Sequence, residues 1–121
     1  MFLEEDIFLW NDMHHFKAEF FKALAHPLRI RILELLVEGE KSVNEIQSSL
    51  NSEGSAVSQQ LSVLRSKNIV VGVKDGKRVV YSLRDPAIND LLIVAKEIFN
   101  NHLIDTISKL EELDDQKQSN G

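Results

Sequence analysis

A short polar helix followed at once by a tight hairpin is the sequence feature that most constrains how this chain can fold. In the run 55–61, serine and glutamine flank a small apolar pair, so one edge can be buried while the other stays polar. Asp75 and Gly76 then lie between the β-branched runs 69–73 and 79–83, a strong signal for a two-residue hairpin. A helix and a two-stranded ribbon are also the elements that a DNA groove admits, so this stretch is the first candidate for function.

The composition indicates one folded domain without thiol chemistry. The 121 residues are 43% hydrophobic and 27% charged, which is ordinary for a soluble globular domain. The absence of cysteine from the sequence excludes disulfides, thiolate metal sites and thiol redox switching. No apolar run approaches the roughly 20 residues that span a bilayer, and the first residues are acidic where a secretory signal is basic. We therefore expect a cytoplasmic protein without membrane contact.

The net charge of −5 is distributed unevenly along the chain. Residues 1–54 carry 5 basic and 10 acidic side chains, residues 55–84 carry 6 and 1, and residues 85–121 carry 3 and 8. The polar helix and the hairpin therefore form a positive middle between two acidic ends. That distribution suits a protein with one face on phosphate, whereas the alternative is a solvated charged hairpin without a ligand.

Two helices are predicted before the polar run. The first, over about 3–24, has an aromatic-rich apolar stripe with steps of three and four residues. The stripe consists of Ile7, Trp10, Met13, Phe16, Phe20 and Leu24. The second helix begins at Pro27, a residue suited to a first helical turn, and ends near Gly39. We interpret His26 as a structural residue at the start of this second helix.

The next two helices are predicted to form a helix-turn-helix. Ser42 and Glu45 have the spacing of a capping box, in which each side chain satisfies the backbone N–H of the other residue. Asn51 can adopt the left-handed conformation that ends the third helix. The fourth helix, over about 55–67, is expected to bury Val57, Leu61 and Leu64. Its outward side chains are expected to be Ser55, Ser58, Gln59, Ser62 and Arg65.

The hairpin is predicted to form a wing, and a long amphipathic helix follows it. Asp85 and Pro86 are typical of a helix cap and a first helical residue, and apolar side chains then recur along 86–112. The polar segment 113–121 is predicted to be a disordered tail, because it has too little apolar area to bury. We therefore expect a single domain over 1–112, mainly α with a small β-hairpin (α+β). The order α-α-α-α-β-β-α is that of a winged helix-turn-helix.

Three motifs in this order resemble the ArsR/SmtB family of bacterial repressors. They are 23–33 with its Leu-Ala-His-Pro-Leu-Arg run, Ser-Ala-Val-Ser-Gln-Gln-Leu at 55–61, and Val-Tyr-Ser-Leu at 80–83. The resemblance covers about residues 16–100. It implies a homodimer built from the first and last helices, whose two recognition helices enter successive major grooves of an imperfect palindrome in double-stranded DNA. Free of its inducing signal, such a protein would block transcription.

The two terminal helices have more apolar surface than a three-helix core needs to cover. A second copy would cover the surplus in a twofold dimer, although such stripes also pack on their own domain. The predicted dimer residues are Ile7, Trp10, Phe16, Phe20, Leu92, Ala95, Phe99 and Leu103.

The sequence lacks most of the metal ligands that the resemblance would imply. Many members of the family bind metal through cysteines in the third helix, which are absent here, or through four donors on the last helix. The positions that match those four donors are Asp85, Ala87, Ile98 and Asn101. Only one donor survives, and a helix cap explains Asp85 better, so we expect no metal and no cofactor. The alternative is a zinc-like sensing site shifted to His14, His15, His102 and Asp105.

The expected activity is DNA binding by a repressor and not catalysis. The sequence has no cysteine nucleophile, no glycine-rich phosphate loop and no His-Glu-x-x-His run. The predicted base contacts are Ser55, Ser58, Gln59 and Gln60. The predicted DNA backbone contacts are Ser62, Arg65, Lys67, Lys74, Lys77 and Arg78. The rival class is a winged-helix module that binds protein instead of DNA, and the inducing signal, whether a small-molecule effector, a protein or none, stays open.

Overall fold

The computed structural model describes the backbone of residues 4–52 and 54–120 and the side chains of 12–52 and 54–118. Within these residues the chain forms five helices and a three-stranded antiparallel sheet. The elements are α1 (Glu4–Leu24), α2 (Pro27–Val37), β1 (Lys41–Ser42), α3 (Val43–Leu50), α4 (Gly54–Ser66), β2 (Val70–Asp75), β3 (Arg78–Leu83) and α5 (Pro86–Asn120). This architecture confirms the predicted winged helix-turn-helix, with α3 and α4 as its two helices and β2 and β3 as the wing. None of the described helices is long and apolar enough to cross a membrane.

The core lies where α2, α3, α4 and the start of β2 meet. Its largest fully buried side chains are Ile32, Leu33, Ile46, Val57, Leu61, Leu64, Ile69 and Val70. Three of these lie along one side of α4 with the spacing that the sequence predicts for a buried helix face. The turn between α3 and α4 uses Asn51 at φ 49° and ψ 46°, so the predicted left-handed residue is confirmed.

The sheet contains a short first strand that sequence analysis did not predict. Strand β1 pairs with β3 through Lys41 with Tyr81 and Ser42 with Val80, so the sheet order is β1-β3-β2. A two-residue strand is too short to show alternating hydrophobicity, which is why periodicity misses it. The β2–β3 hairpin is in the expected place, and its turn residue Gly76 has φ +67°, where a side chain would be strained.

Two helices begin at residues for which the sequence predicts a structural role, His26 at the start of the second helix and Asp85 as the cap of the last. His26 precedes α2 in an extended conformation, and its Nδ1 accepts a hydrogen bond of 3.2 Å from the N–H of Leu28. Asp85 precedes α5, and its Oδ1 accepts one of 2.9 Å from the N–H of Ala87. Both residues therefore have structural roles at helix N-termini, and Asp85 is occupied as a cap.

The end of α5 differs from the prediction for the segment 113–121. The helix runs over 35 residues to Asn120, where a disordered tail was expected after residue 112. No proline or glycine interrupts the sequence between Pro86 and Gly121, and Leu113, Gln116, Lys117 and Gln118 are good helix formers. The side chains of 113–118 are all exposed, so this last part of α5 is continued by local propensity without packing on the core.

The capping box at α3 gives the first testable prediction. Ser42 Oγ accepts from the N–H of Glu45 at 3.2 Å, and Glu45 Oε1 accepts from the N–H of Ser42 at 3.3 Å. Hydrogen bonds from the side chain and backbone of Ser42 lower the pKa of the exposed Glu45 carboxyl, with help from the charges of Arg78 and Lys41. A lowered pKa stabilises the fold above the ordinary range of glutamate, and that stabilisation is lost as the pH falls through the lowered value.

We expect Ser42→Ala to raise the pKa of Glu45 and to lower the free energy of unfolding at neutral pH by about 1 kcal/mol. A carboxyl NMR titration and urea unfolding measure the two effects. Ser49→Ala, at an exposed site on the same helix, is the matched control and should change neither quantity. An unchanged pKa of Glu45 in Ser42→Ala would contradict this account of the cap.

Candidate nucleic-acid interface

Helix α4 presents a strip of uncharged polar side chains to solvent. We call this strip the outer face and define it by Ser55, Ser58, Gln59 and Ser62, all of which are exposed. Steps of three and four residues place them on one side of the helix, opposite the buried residues of α4. The exposed Arg65 continues the strip into the last turn. The structure therefore brings together most of the side chains that the sequence predicts for α4.

Gln60 does not belong to the outer face. It is half-buried, and its Oε1 accepts a hydrogen bond of 2.8 Å from Nε of Arg29 on α2. Because successive residues of a helix are rotated by about 100°, the residue after Gln59 points toward the flank of the core. The structure thus separates Gln60 from Ser58 and Gln59, with which it was grouped as a base contact.

Two arginines on α2 contact the helix-turn-helix, and sequence analysis gave them no role. Besides Gln60, Arg29 binds the backbone carbonyl of Ala23 through Nη1 at 3.1 Å. Arg31 binds the carbonyl of Leu50, the last residue of α3, through Nη2 at 3.2 Å. Two arginines at alternate positions of the otherwise apolar run 28–33 were the available signal, since a partly buried guanidinium needs partners.

The wing carries cations of two kinds. Lys74 and Lys77 are exposed and make no ion pair with any side chain that the structure describes. Arg78, by contrast, lies 3.5 Å from a carboxylate oxygen of Glu45 and 3.4 Å from one of Asp75. These two ion pairs were not predicted, and they leave the lysines as the less neutralised cations of the wing.

Lys67 lies with the terminal helices and is separated from the wing tip by the length of β2. It follows the end of α4 and lines a cleft of about 440 Å³ that Phe16, Phe20 and Arg84 also line. Beside it, Arg84 Nη1 donates to Asn68 Oδ1 at 3.2 Å. Sequence analysis predicts Lys67, Lys74 and Lys77 together as DNA backbone contacts. The structure places Lys67 beside the terminal helices instead of on the wing.

No group of three or more histidine and carboxylate side chains within the described part of the chain is arranged to hold a metal ion. The alternative ligand set proposed from the sequence falls entirely within that part. It consists of His14, His15, His102 and Asp105. These four residues therefore form no such group within one copy of the chain.

Helices α1 and α5 leave large apolar side chains uncovered. Phe16 is 74% exposed on α1, and Phe99 and Leu103 are 69% and 56% exposed on α5. Phe20 and Leu92 pack partly against the core of their own chain, and Ala95 is half-buried. Of the predicted dimer residues, Phe16, Phe99 and Leu103 are thus the ones that the described chain leaves most open. The side chains of Ile7 and Trp10 lie outside the described residues.

Comparison with known proteins identifies relatives of this architecture. The sequence model of a family described as "Bacterial regulatory protein, arsR family" matches residues 26–71. The HTH-type transcriptional regulator Rv0081 of Mycobacterium tuberculosis, itself uncharacterized, is 49% identical over 102 residues, which are 84% of this chain and 90% of that protein. A protein named as a transcriptional repressor SmtB homolog, from Synechocystis, is 40% identical over 74 residues, 61% of this chain and 56% of that protein.

Comparison with solved structures also identifies relatives with this fold. The crystal structure of Rv0081 matches with a TM-score of 0.71 at 48% identity, covering 78% of this chain and 96% of that chain. A homodimeric winged helix-turn-helix DNA-binding domain from Mycobacterium bovis, Mb0332, matches with a TM-score of 0.71 at 27% identity, covering 77% and 86%. Rv0081 and the Synechocystis protein are named as transcriptional regulators, which are not enzymes, and Mb0332 is described as a possible ArsR-family transcriptional regulator. The chain therefore belongs to the ArsR/SmtB family of bacterial transcriptional regulators, with that family's winged helix-turn-helix fold.

Proposed function

We propose that the protein is a homodimeric transcriptional repressor that binds a specific, twofold-related site in double-stranded DNA. The observations that carry the proposal are the exposed, uncharged outer face of α4 and, on the wing, the exposed Lys74 and Lys77, which pair with no side chain that the structure describes. Uncharged hydroxyl and amide groups can discriminate base edges, whereas lysines attract phosphate without regard to sequence. Both kinds of group lie within residues 55–84, the positive middle of an otherwise acidic chain.

The base contacts in this proposal are Ser55, Ser58 and Gln59. A glutamine amide both donates and accepts, so it can pair with the edge of adenine in the major groove, while a serine hydroxyl suits several bases. Gln60 is left out because its carbonyl oxygen is bound by Arg29.

The proposed backbone contacts are Ser62, Arg65, Lys74, Lys77 and Arg78. The lysines contribute most, since the charge of Arg78 is partly balanced by Glu45 and Asp75. Lys67 is left out because it lies beside the terminal helices. The concentration of positive charge near α4 and the wing also explains how a protein of net charge −5 could bind a polyanion.

The proposed dimer buries the uncovered faces of α1 and α5 against a second copy. Contiguous apolar side chains of this size are uncommon on the surface of a monomer, and a twofold pairing would cover both copies with the same surface. The homodimeric state of the Mb0332 domain supports this arrangement. A twofold dimer would present two outer faces to related half-sites, as a palindromic operator requires.

We further propose that DNA binding does not depend on a bound metal and takes place in the cytoplasm. The absence of cysteine from the sequence and the use of Asp85 as a helix cap support metal independence. The proposal names no inducing ligand.

Gln59→Ala tests the outer face. We expect it to weaken binding by about 1–3 kcal/mol on a duplex that the wild-type protein selects from a random-sequence pool, and to leave binding to a scrambled duplex nearly unchanged. Gel-shift titrations with both duplexes measure the difference. Equal losses on the two duplexes would remove Gln59 from the base contacts.

Lys77→Ala tests the wing. Loss of one phosphate contact should weaken binding to all duplexes and reduce the slope of log affinity against log salt by about one. Titrations at several salt concentrations give the slope. Lys109→Ala removes an exposed lysine of α5 and serves as the control with an unchanged slope. A wild-type slope in Lys77→Ala would show that this lysine does not contact phosphate.

Phe99→Glu tests the dimer. The side chain is 69% exposed in one copy, so a carboxylate there should leave the fold intact but oppose burial against a second copy. We expect sedimentation to show a shift from dimer to monomer, with unchanged helical circular dichroism. Lys96→Glu, an exposed charged site on α5, is the control that should stay dimeric. A dimeric Phe99→Glu protein would place the interface elsewhere.

A further inference from the structure

The end of α1 contains a carbonyl that its own helix cannot satisfy. In an α-helix the carbonyl of one residue accepts from the N–H four residues later, and for Ala23 that residue is Pro27, which has no N–H. Ala23 is only 4% exposed, so water is a poor substitute. Arg29 Nη1 supplies the missing donor at 3.1 Å.

The same guanidinium also binds α4. Its Nε donates to Gln60 Oε1 at 2.8 Å, and this bond joins residues 31 positions apart in the sequence. Guanidinium donors lie in one rigid plane, so the directions of the two bonds are fixed relative to each other. The last turn of α1 and the middle of α4 are therefore held by a single planar group on α2.

The position of Gln60 makes this contact relevant to DNA binding. Gln60 lies between Gln59 of the outer face and the fully buried Leu61. Apolar packing sets how deeply α4 is buried, but it tolerates small rotations and shifts better than a directional hydrogen bond does. Fixing the side chain of Gln60 thus limits rotation of the outer face about the axis of α4.

We propose that Arg29 is a positioning residue. By binding both the end of α1 and Gln60, it fixes how α4 is rotated about its own axis, and therefore where the outer face points. This inference depends on the proposed function, because it gives the rotational orientation of α4 a role in operator recognition. Since α1 also carries part of the proposed dimer surface, Arg29 links the geometry of the dimer to the orientation of Ser58 and Gln59. In this proposal Gln60 affects DNA binding only through its hydrogen bond with Arg29, and it does not contact a base.

Two substitutions of Gln60 separate positioning from base contact. Gln60→Leu keeps the size of the side chain but removes the acceptor, and we expect about tenfold weaker binding to the selected duplex with little change on the scrambled duplex. Gln60→Glu keeps an acceptor for Arg29 and should bind the selected duplex nearly as well as wild type. A residue in contact with a base would lose affinity in both variants.

Arg29→Met completes a double-mutant cycle. Alone it should weaken binding to the selected duplex at least as much as Gln60→Leu, because it also removes the bond to Ala23. Adding Gln60→Leu to Arg29→Met should cost little more, because both changes remove the bond between Arg29 and Gln60. Thermal unfolding of each protein verifies that it is folded. The inference is overturned if Gln60→Leu binds like wild type, if Gln60→Glu is as weak as Gln60→Leu, or if the two losses add.

Amide hydrogen exchange of the free dimer distinguishes failure of this inference from failure of the proposed function. Gln60→Leu should increase exchange within 55–66, and Gln60→Glu should restore wild-type protection. If the wild-type protein enriches no duplex from the pool, the proposed function is wrong. Unchanged exchange over 55–66 in Gln60→Leu would instead refute the positioning role of Arg29.

Discussion

Burial of one side of α4 is the constraint on which the rest of this structure depends. Val57, Leu61 and Leu64 are fully buried, and they anchor α4 against the elements that form the core. Because a helix rotates by a fixed angle at each residue, burying these three determines which residues must face water. The serines and Gln59 are outside as a direct consequence, and they cost little there because water satisfies their polar groups. The surface proposed for DNA binding is therefore the side of α4 that the core leaves exposed.

The charged residues have a different role from the uncharged outer face of α4. Acidic residues prevail before α4 and in α5, while the segment between them carries the basic excess. An acidic body would be repelled by DNA phosphate, so only one approach brings the basic segment onto the duplex. In the proposed complex the charges orient the protein, and the uncharged outer face provides selectivity.

The sequence predicts the helices, the hairpin and the caps well, because each depends on residues close together in the chain. The capping box of Ser42 and Glu45 and the cap at Asp85 follow from spacing alone, and both are present. Strand β1 was missed because its partner lies about 40 residues later and its two residues have no periodicity of their own. The contact that sets Gln60 apart from Ser58 and Gln59 was missed for a similar reason, since its partner Arg29 is distant in sequence and only the packed structure brings them together.

Ser42 belongs to two elements at once, and this has a mechanical result. The residue pairs with Val80 in the sheet, and its side chain caps α3, while Glu45 of the same cap is bridged to the wing by Arg78. A swing of the hairpin away from α3 would break the ion pair between Arg78 and Glu45, together with either the pairing of β1 with β3 or, if β1 moved with the hairpin, the cap at Ser42. The wing is therefore joined to the helix-turn-helix through the backbone as well as through side chains. In the proposed complex, a wing held in this way would favour duplexes whose groove already has the matching width, because such duplexes bind at the lowest cost in deformation.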